Sequence, residues 1–180
     1  MRNPTLLTIS GALRAGSTNR LLLAEAARFF GAADVVQANL RLPLYDNDLE
    51  DASGIPPEVQ LLADQIRSAD AVVISTPEYN KSLSGVLKNA LDWISRVPGS
   101  AWRDKPVAIV SAADGRAGGE RAQFALRLCM VAFRPRLLTG PEVMVANSRS
   151  AFDTEGRLIE PRTVKALTEL MQALRVEAMR

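Results

Sequence analysis

The segment from Ser10 to Arg20, SGALRAGSTNR, holds residues that could bind a phosphate group. It contains Gly11, Gly16, Arg14 and several small hydroxyl side chains, directly after a short apolar run. A helix N-terminus offers unpaired N–H groups and a partial positive charge, and an arginine can donate two hydrogen bonds to phosphate oxygens. The composition therefore indicates a phosphate site. Simple capping of the following helix by Ser17 or Thr18 stays open as an alternative.

The spacing within this loop narrows the kind of phosphate ligand. The loop lacks GxxxxGK[ST], which argues against a nucleoside triphosphate site, and it lacks the GxGxxG dinucleotide fingerprint. The chain has no histidine and a single cysteine. These counts exclude Ser-His-Asp chemistry, histidine-containing zinc sites and intramolecular disulfides, and we expect no metal site.

Two further polar loops follow apolar runs. The loop TPEYNKS, residues 76 to 82, follows the run AVVIS, and the loop SAADGRAGG, residues 111 to 119, closes the run PVAIVSA. In parallel sheets, ligands bind beyond the carboxyl ends of the strands. We therefore expect the loops after the first, third and fourth strands to meet at one edge.

The elements that must position these loops alternate along the chain. Strands are predicted at 5–9, 33–39, 71–75, 106–112 and 136–145, the last broken at Gly140-Pro141; helices are predicted at 19–30, 59–69, 84–97, 119–133 and 162–178. The acidic stretch around Asp46 to Asp51 is interpreted as a solvated loop. Aliphatic strands alternating with amphipathic helices predict a doubly wound, five-stranded parallel sheet in a three-layer α/β/α arrangement, with residues 1–180 as a single domain.

Charge and hydropathy exclude two classes of partner. Twenty-two basic and twenty acidic residues give a net charge of +2, and no aromatic residues interleave the basic ones. This pattern predicts no nucleic-acid partner. No apolar stretch approaches the 18 or so residues of a membrane span, so we predict a cytoplasmic protein with no membrane partner.

Four segments resemble the NADPH-dependent FMN reductases of flavodoxin-like fold, a family that includes chromate, quinone and azo-dye reductases. They are GALRAGSTNR, LPLYDNDLE, TPEYNKSLSGVLKNALDWISR and SAADGRAGG, in the family's order across residues 5 to 160. The third is long and specific, whereas each of the others is weak by itself. The resemblance implies bound FMN, NADPH or NADH as co-substrate, a small-molecule electron acceptor and a homodimer or homotetramer.

The resemblance also implies which residues bind the cofactor. The FMN phosphate loop corresponds to Gly11, Ala12, Leu13, Arg14, Gly16, Ser17, Thr18 and Asn19, with Arg14, Ser17 and Asn19 as side-chain donors. The backbone of Pro77, Glu78, Tyr79 and Asn80 corresponds to the turn against the isoalloxazine. Ser111, Ala112 and Gly115 belong to the third flavin loop. No side chain is assigned a catalytic role, since the flavin carries the chemistry.

Two positions depart from the family pattern. Ala12 and Ala112 stand where relatives often carry serine, and each loses a hydroxyl donor. Because backbone amides carry much of the anion binding at a helix start, the departures predict weaker FMN affinity rather than none. The alternative function is a flavodoxin-type electron carrier without reductase activity. Such carriers are usually acidic, which the near-neutral charge of this chain disfavours.

Overall fold

A computed structural model describes residues 2–180 and shows a parallel sheet between two layers of helices. The strands are β1 Thr5–Ser10, β2 Asp34–Gln37, β3 Ala71–Thr76, β4 Pro106–Ala112, β5 Arg136–Leu137 and β6 Val143–Val145. The helices are α1 Thr18–Phe30, α2 Asn47–Ser53, α3 Pro57–Ser68, α4 Gly85–Arg96, α5 Glu120–Met130 and α6 Pro161–Ala178.

The strand order β2-β1-β3-β4-β5 makes the fold doubly wound, as predicted. All pairings are parallel, and the register aligns Ser10 with Ser75 and Thr76 with Ser111 at the carboxyl ends of β1, β3 and β4. Every residue of β3 and β4 is buried. This explains why the central strands read as continuous apolar runs, because helices cover both faces of the sheet.

The two faces of the sheet pack against different helices. On one face, α1 and α6 bury a stripe that includes Leu22, Phe30 and Met171 against alternate strand residues. On the other face, α3, α4 and α5 pack on the intervening strand residues. Trp93 of α4 is fully buried in this second cluster and donates its indole N–H to the carbonyl of Pro43 at 2.8 Å. It is therefore a core residue.

The structure divides the predicted fifth strand into two short strands. β5 pairs with the start of β4 and β6 with its end, on either side of a cis Gly140-Pro141 bond. The sheet thus has six strands in five positions. The predicted break at Gly140-Pro141 is confirmed.

The helix α2 was not predicted from the sequence. Asp46 accepts a hydrogen bond from the Asp48 N–H at 2.9 Å and caps this short helix, which buries none of its residues. Without a buried face there is no apolar periodicity to detect, and the segment reads as a loop. The interpretation of this stretch as a loop was wrong, although its side chains are largely solvated.

Within residues 2–180, no helix is long and apolar enough to cross a membrane. In the same residues, no cluster of three or more acidic, histidine or cysteine side chains could hold a metal ion.

Candidate functional site

A cavity of about 330 Å³ opens at the carboxyl edge of the sheet, where the three polar loops meet. This size is at the lower end of the range for small-molecule sites. Loop 1 (residues 11–17) follows β1, loop 2 (residues 77–84) follows β3, and loop 3 (residues 113–119) follows β4. A fourth segment, residues 146–150 after β6, completes the wall. The lining residues are Ala12, Leu13, Arg14, Ser17, Thr18, Asn19, Pro77, Glu78, Tyr79, Ala112, Ala113, Asp114, Ser148 and Arg149.

Most of the residues predicted from the sequence are brought together in this wall. Those that do not line the cavity are Gly11, Gly16, Asn80, Ser111 and Gly115. Gly11 lies under the cavity, where its N–H donates to the Ser75 carbonyl at 2.8 Å. A Cβ at Gly11 would come within 3.1 Å of both Pro77 Cδ and Ser84 Oγ, so the glycine allows loop 1 to pack closely on loop 2.

Loop 1 leads into the N-terminus of α1. The Ser17 hydroxyl accepts the Asn19 N–H at 3.2 Å and caps the helix, as the structural alternative proposed. The capping hydrogen bond leaves the Ser17 O–H free to donate to a ligand, because a hydroxyl can accept and donate at the same time. The Thr18 N–H, at the first helical position, has no intrahelical acceptor, and the first turn of α1 carries no acidic residue. The positive end of the helix dipole therefore faces the cavity without an internal counter-charge.

The side chain of Asn19 connects three elements at the base of the site. Its Oδ1 accepts hydrogen bonds from the Ser75 hydroxyl at 2.7 Å and from the Ala112 N–H at 3.1 Å. Its Nδ2 donates to the Ala112 carbonyl at 2.8 Å, and the residue is buried. One Nδ2 hydrogen is thus committed to the protein, and the predicted contact with phosphate depends on the other.

Loop 2 is a tight, locally determined turn. Tyr79 and Ser82 exchange two backbone hydrogen bonds, at 3.1 and 3.0 Å, around Asn80 and Lys81. Both central residues have positive φ angles, 49° and 65°, as in a type I′ turn. The turn leaves Pro77 buried at the base of the cavity and Tyr79 exposed at its mouth.

Glu78 has a structural partner outside the turn. Its Oε2 accepts the backbone N–H groups of Arg121 at 3.1 Å and Ala122 at 3.4 Å, at the start of α5. A carboxylate at this position caps the helix and neutralises the positive end of its dipole. The side chain of Glu78 thus fixes loop 2 to α5.

Loop 3 is held by buried polar contacts and by two glycines. The Ser111 hydroxyl donates to the Gly118 carbonyl at 2.6 Å and accepts from Gln123 Nε2 at 2.9 Å. Gly118 and Gly119 have φ angles of 59° and 95°. A Cβ at Gly118 would lie 2.6 Å from the backbone carbon of Met144, so only glycine fits there. Ser111 therefore shapes the loop from within the core.

Ser148 and Arg149 line the cavity and were not predicted from the sequence. Ser148 Oγ accepts from Thr18 Oγ1 at 3.2 Å, and Arg149 Nε pairs with Asp114 Oδ2 at 3.1 Å. The available signal was the polar stretch NSRS directly after the apolar run VMVA. The predicted last strand ends at residue 145, as β6 does, so the rule that ligands bind beyond the carboxyl ends of parallel strands could have been applied to this stretch as well.

The charged side chains around the cavity differ in whether they have a partner in the fold. Glu78 is engaged by α5, and Asp114 by Arg149. Arg14 has no salt-bridge partner within residues 2–180 and is exposed. Together with the start of α1, this unpaired guanidinium makes one end of the cavity attractive to an anion.

The amino-acid sequence is similar to those of known reductases. The family model described as NADPH-dependent FMN reductase matches residues 4–150. An NAD(P)H-dependent FMN reductase of Pseudomonas aeruginosa is 42% identical over 173 residues, covering 95% of this chain and 93% of the relative. A quinone reductase of Escherichia coli strain K12 is 38% identical over 172 residues, covering 93% and 92%.

The fold is also similar to those of solved structures. A flavoenzyme NAD(P)H:(acceptor) oxidoreductase from Paracoccus denitrificans superposes with a TM-score of 0.86 at 28% identity, covering 98% of this chain and 97% of that one. A flavodoxin-like neighbour from Agrobacterium tumefaciens has a TM-score of 0.64 at 14% identity and supports the fold alone. The converging loops, the extent of the family match and these relatives lead to one conclusion: the chain belongs to the NADPH-dependent FMN reductase family.

Proposed function

We propose that the protein is an NAD(P)H-dependent oxidoreductase that holds FMN in the cavity between loops 1, 2 and 3. When bound, FMN takes a hydride from NAD(P)H and passes the electrons to an acceptor such as a quinone, an azo compound, free flavin or an oxyanion such as chromate. The observation that carries the proposal is the convergence of Arg14, the start of α1 and the loop 2 turn on one cavity at the carboxyl edge.

The residues present fit the phosphate end of FMN. Ser17 and Thr18 line the cavity at the positive end of α1, and Arg14 supplies a cation with no salt-bridge partner within residues 2–180. These groups match the three needs of a phosphate monoester: backbone donors, a hydroxyl donor and a charge. Ala12 and Ala112 supply no hydroxyl, so we retain the prediction that affinity is weaker than with serine at these positions.

The residues also fit a planar ring at the other end. Pro77 and Ala112 are small and buried at the base of the cavity, and Tyr79 stands exposed at its mouth. Glu78 fixes loop 2 to α5, and Ser111 at the end of β4 connects loop 3 to α5, because its hydroxyl bonds both Gly118 and Gln123. Loops 2 and 3 would hold a ring on this base, and reductant and acceptor would reach it from the open side of the cavity, where Tyr79 lies.

The proposed role of the protein residues is to bind and orient rather than to exchange protons. The cavity wall contains no cysteine or histidine, and its half-buried carboxylate, Glu78, is used to cap α5. We therefore assign no catalytic side chain. Arg14, Ser17 and Thr18 position the phosphate, and the backbone of loops 2 and 3 positions the ring.

The proposal also covers the organisation of the protein. Each chain forms one FMN-binding domain, and the chains assemble into a homodimer or homotetramer. The protein acts in the cytoplasm, where NAD(P)H is available. An exposed apolar patch next to the cavity supports self-association, since Leu44 is 81% exposed and adjoins Leu13, Leu42 and Val86. Light scattering on the purified protein tests this part. A monomer at micromolar concentration would contradict it.

An absorbance spectrum and an anaerobic titration test the main proposal. After incubation with FMN and gel filtration, the protein should show the bands of oxidised flavin, and NADPH or NADH should bleach them without any acceptor. A quinone should then restore them. A flavin that neither nicotinamide bleaches would contradict the reductase function and favour an electron carrier; a protein that retains no FMN would contradict both.

A further inference from the structure

The ion pair between Arg149 and Asp114 lies on the wall of the flavin cavity. Arg149 Nε is 3.1 Å from Asp114 Oδ2, and the side chains are 83% and 55% exposed. Ion pairs this exposed contribute little to stability, with typical values of about 0 to 1 kcal/mol. The ion pair of Arg149 therefore adds little to the stability of the fold, and its guanidinium is available to a ligand.

Neighbouring contacts fix Arg149 beside the start of α1. Ser148 is buried, its N–H donates to the Ala113 carbonyl at 3.2 Å, and its hydroxyl accepts from Thr18 Oγ1 at 3.2 Å. Consecutive Cα atoms are about 3.8 Å apart, so the backbone of residue 149 lies next to the first residue of the helix. The hydrogen bonds of Ser148 thus fix the backbone from which the exposed guanidinium of Arg149 extends.

The ion pair leaves the outer face of the guanidinium free. Arginine has five N–H donors, and the recorded contact to Asp114 uses Nε. The two Nη groups can still donate to a second acceptor. Arg149 lines the same cavity as Arg14, Ser17 and Thr18, the residues proposed to bind the phosphate.

We propose that Arg149 is a second arginine that binds the 5′-phosphate of FMN, in addition to Arg14. Arg14 comes from loop 1 and Arg149 from the segment after β6, and both line the cavity into which the N-terminus of α1 opens, so that two cations would be available to the phosphate. This arrangement offsets the hydroxyl donor missing at Ala12. The inference rests on the proposed function, since it assigns a residue to the proposed cofactor.

The test compares FMN with riboflavin, which has the same ring and no phosphate. Quenching of flavin fluorescence gives the Kd of each ligand for the parent and for Arg149→Ala. We expect Arg149→Ala to raise the Kd of FMN by roughly three- to tenfold, the effect of one partly exposed charged contact. The Kd of riboflavin should stay within twofold. Arg116→Ala is the matched control, because Arg116 is exposed in loop 3 but does not line the cavity.

Asp114→Asn separates phosphate binding from a purely structural ion pair. Both Asp114→Asn and Arg149→Ala abolish the pair, yet only the second removes a cation from the cavity, while the first removes an anion. We expect Asp114→Asn to bind FMN at least as tightly as the parent. If both variants weaken FMN binding to the same degree, or if Arg149→Ala affects FMN and riboflavin equally, the inference is wrong.

The remaining outcomes are also decisive. If the parent binds FMN and Arg149→Ala binds it with the same Kd, this inference alone is overturned. The same conclusion holds if the substitution raises only the KM for NADPH. A parent that binds no FMN overturns the proposed function and this inference together.

Discussion

At the scale of single residues, the cavity wall contains exposed side chains without a partner in the fold and buried side chains that hold the loops. Arg14 is exposed in the cavity wall, whereas Asn19 is buried and bonded to Ser75 and Ala112. Both belong to the predicted phosphate loop. Their replacement should therefore have different consequences, one for binding and one for stability.

For Arg14, we expect substitution by alanine to weaken FMN binding at least several-fold while the fold is retained. A charge-assisted hydrogen bond is worth about 1.5 to 3 kcal/mol, and solvent exposure reduces that value. Fluorescence titration with FMN measures the effect, and circular dichroism checks the fold. An unchanged dissociation constant would show that loop 1 does not bind the phosphate.

For Asn19, substitution by alanine should lower the free energy of unfolding by about 2 to 4 kcal/mol. The change leaves the Ser75 hydroxyl and the Ala112 N–H and carbonyl without their partner in a buried site. Urea unfolding measures it, with Asn3→Ala as the control because Asn3 is exposed near the N-terminus. A loss below 1 kcal/mol for Asn19→Ala would show that these hydrogen bonds are replaced by other partners.

At the scale of elements, side-chain caps connect the loops to the helices. Ser17 caps α1, Ser84 caps α4 and donates to the Gly11 carbonyl at 2.7 Å, and Glu78 caps α5 from loop 2. Each cap ties a loop of the cavity to the end of a helix. The position of the ligand edge thus depends on helix starts as well as on strand ends.

The cap at α5 predicts a mild phenotype for Glu78→Gln. The amide keeps an oxygen that accepts the Arg121 and Ala122 N–H groups, so bound flavin and most turnover should be retained. Glu78→Ala should lose about 0.5 to 2 kcal/mol of stability, the usual cost of losing a cap. Tyr79→Phe, at the cavity mouth, should also retain flavin. A folded, FMN-loaded Glu78→Gln protein without activity would reveal a catalytic carboxylate.

A buried carboxylate connects α1 to the segment before α6. Glu25 is 1% exposed and accepts hydrogen bonds from Arg28 Nε at 2.8 Å, Arg157 Nη1 at 3.0 Å and the Leu158 N–H at 3.2 Å. Chiefly the Arg28 hydrogen bond, and then those from Arg157 and Leu158, lower the pKa of Glu25 from 4.5 to about 2 against the opposing effect of burial.

The lowered pKa of Glu25 predicts a loss of stability in acid. Because the folded pKa lies below the unfolded one, the stabilisation is complete above about pH 4.5 and disappears as the pH falls toward 2. Its full size is up to roughly 3 kcal/mol. The difference in unfolding free energy between the parent and Glu25→Gln should therefore shrink between pH 7 and pH 3. Glu155→Gln, an exposed carboxylate of the same segment, is the control. A difference independent of pH would contradict the assignment.

At the scale of the whole molecule, the proposed function assigns one cavity at one edge of the sheet to both the reductant and the acceptor. Loops 1, 2 and 3 close the cavity from the protein side, and Tyr79 lies at the open side. The two substrates would then use the same surface of the cofactor in turn.

This shared surface predicts ping-pong kinetics. Double-reciprocal plots for NADPH at several fixed quinone concentrations should give parallel lines, because the enzyme alternates between two redox forms. High quinone should also inhibit competitively with NADPH. Intersecting lines would require a ternary complex and would contradict the shared surface.

The sequence determined the elements whose patterning is local. The glycine-rich loops could be recognised from their composition. The continuous apolar runs of β3 and β4 could be recognised because both faces of the central strands are buried, and the stripe of α4 because one buried helix face imposes a period of 3.6 residues. The short α2 left no such signal, since it buries nothing. In the sequence, Gly140-Pro141 indicated a break in the last strand, but it did not indicate that the two parts pair with opposite ends of β4.

The tertiary structure alone decided which of the predicted polar side chains are bonded to other elements of the fold. Asn19, Ser111 and Glu78 carry the polar groups expected at a ligand site, yet each hydrogen-bonds to another element of the fold. Arg149 reaches the wall because Ser148 contacts Thr18, a residue 130 positions away in the chain. Contacts over such separations depend on how the sheet orders its strands and where each helix begins, and local composition does not record them.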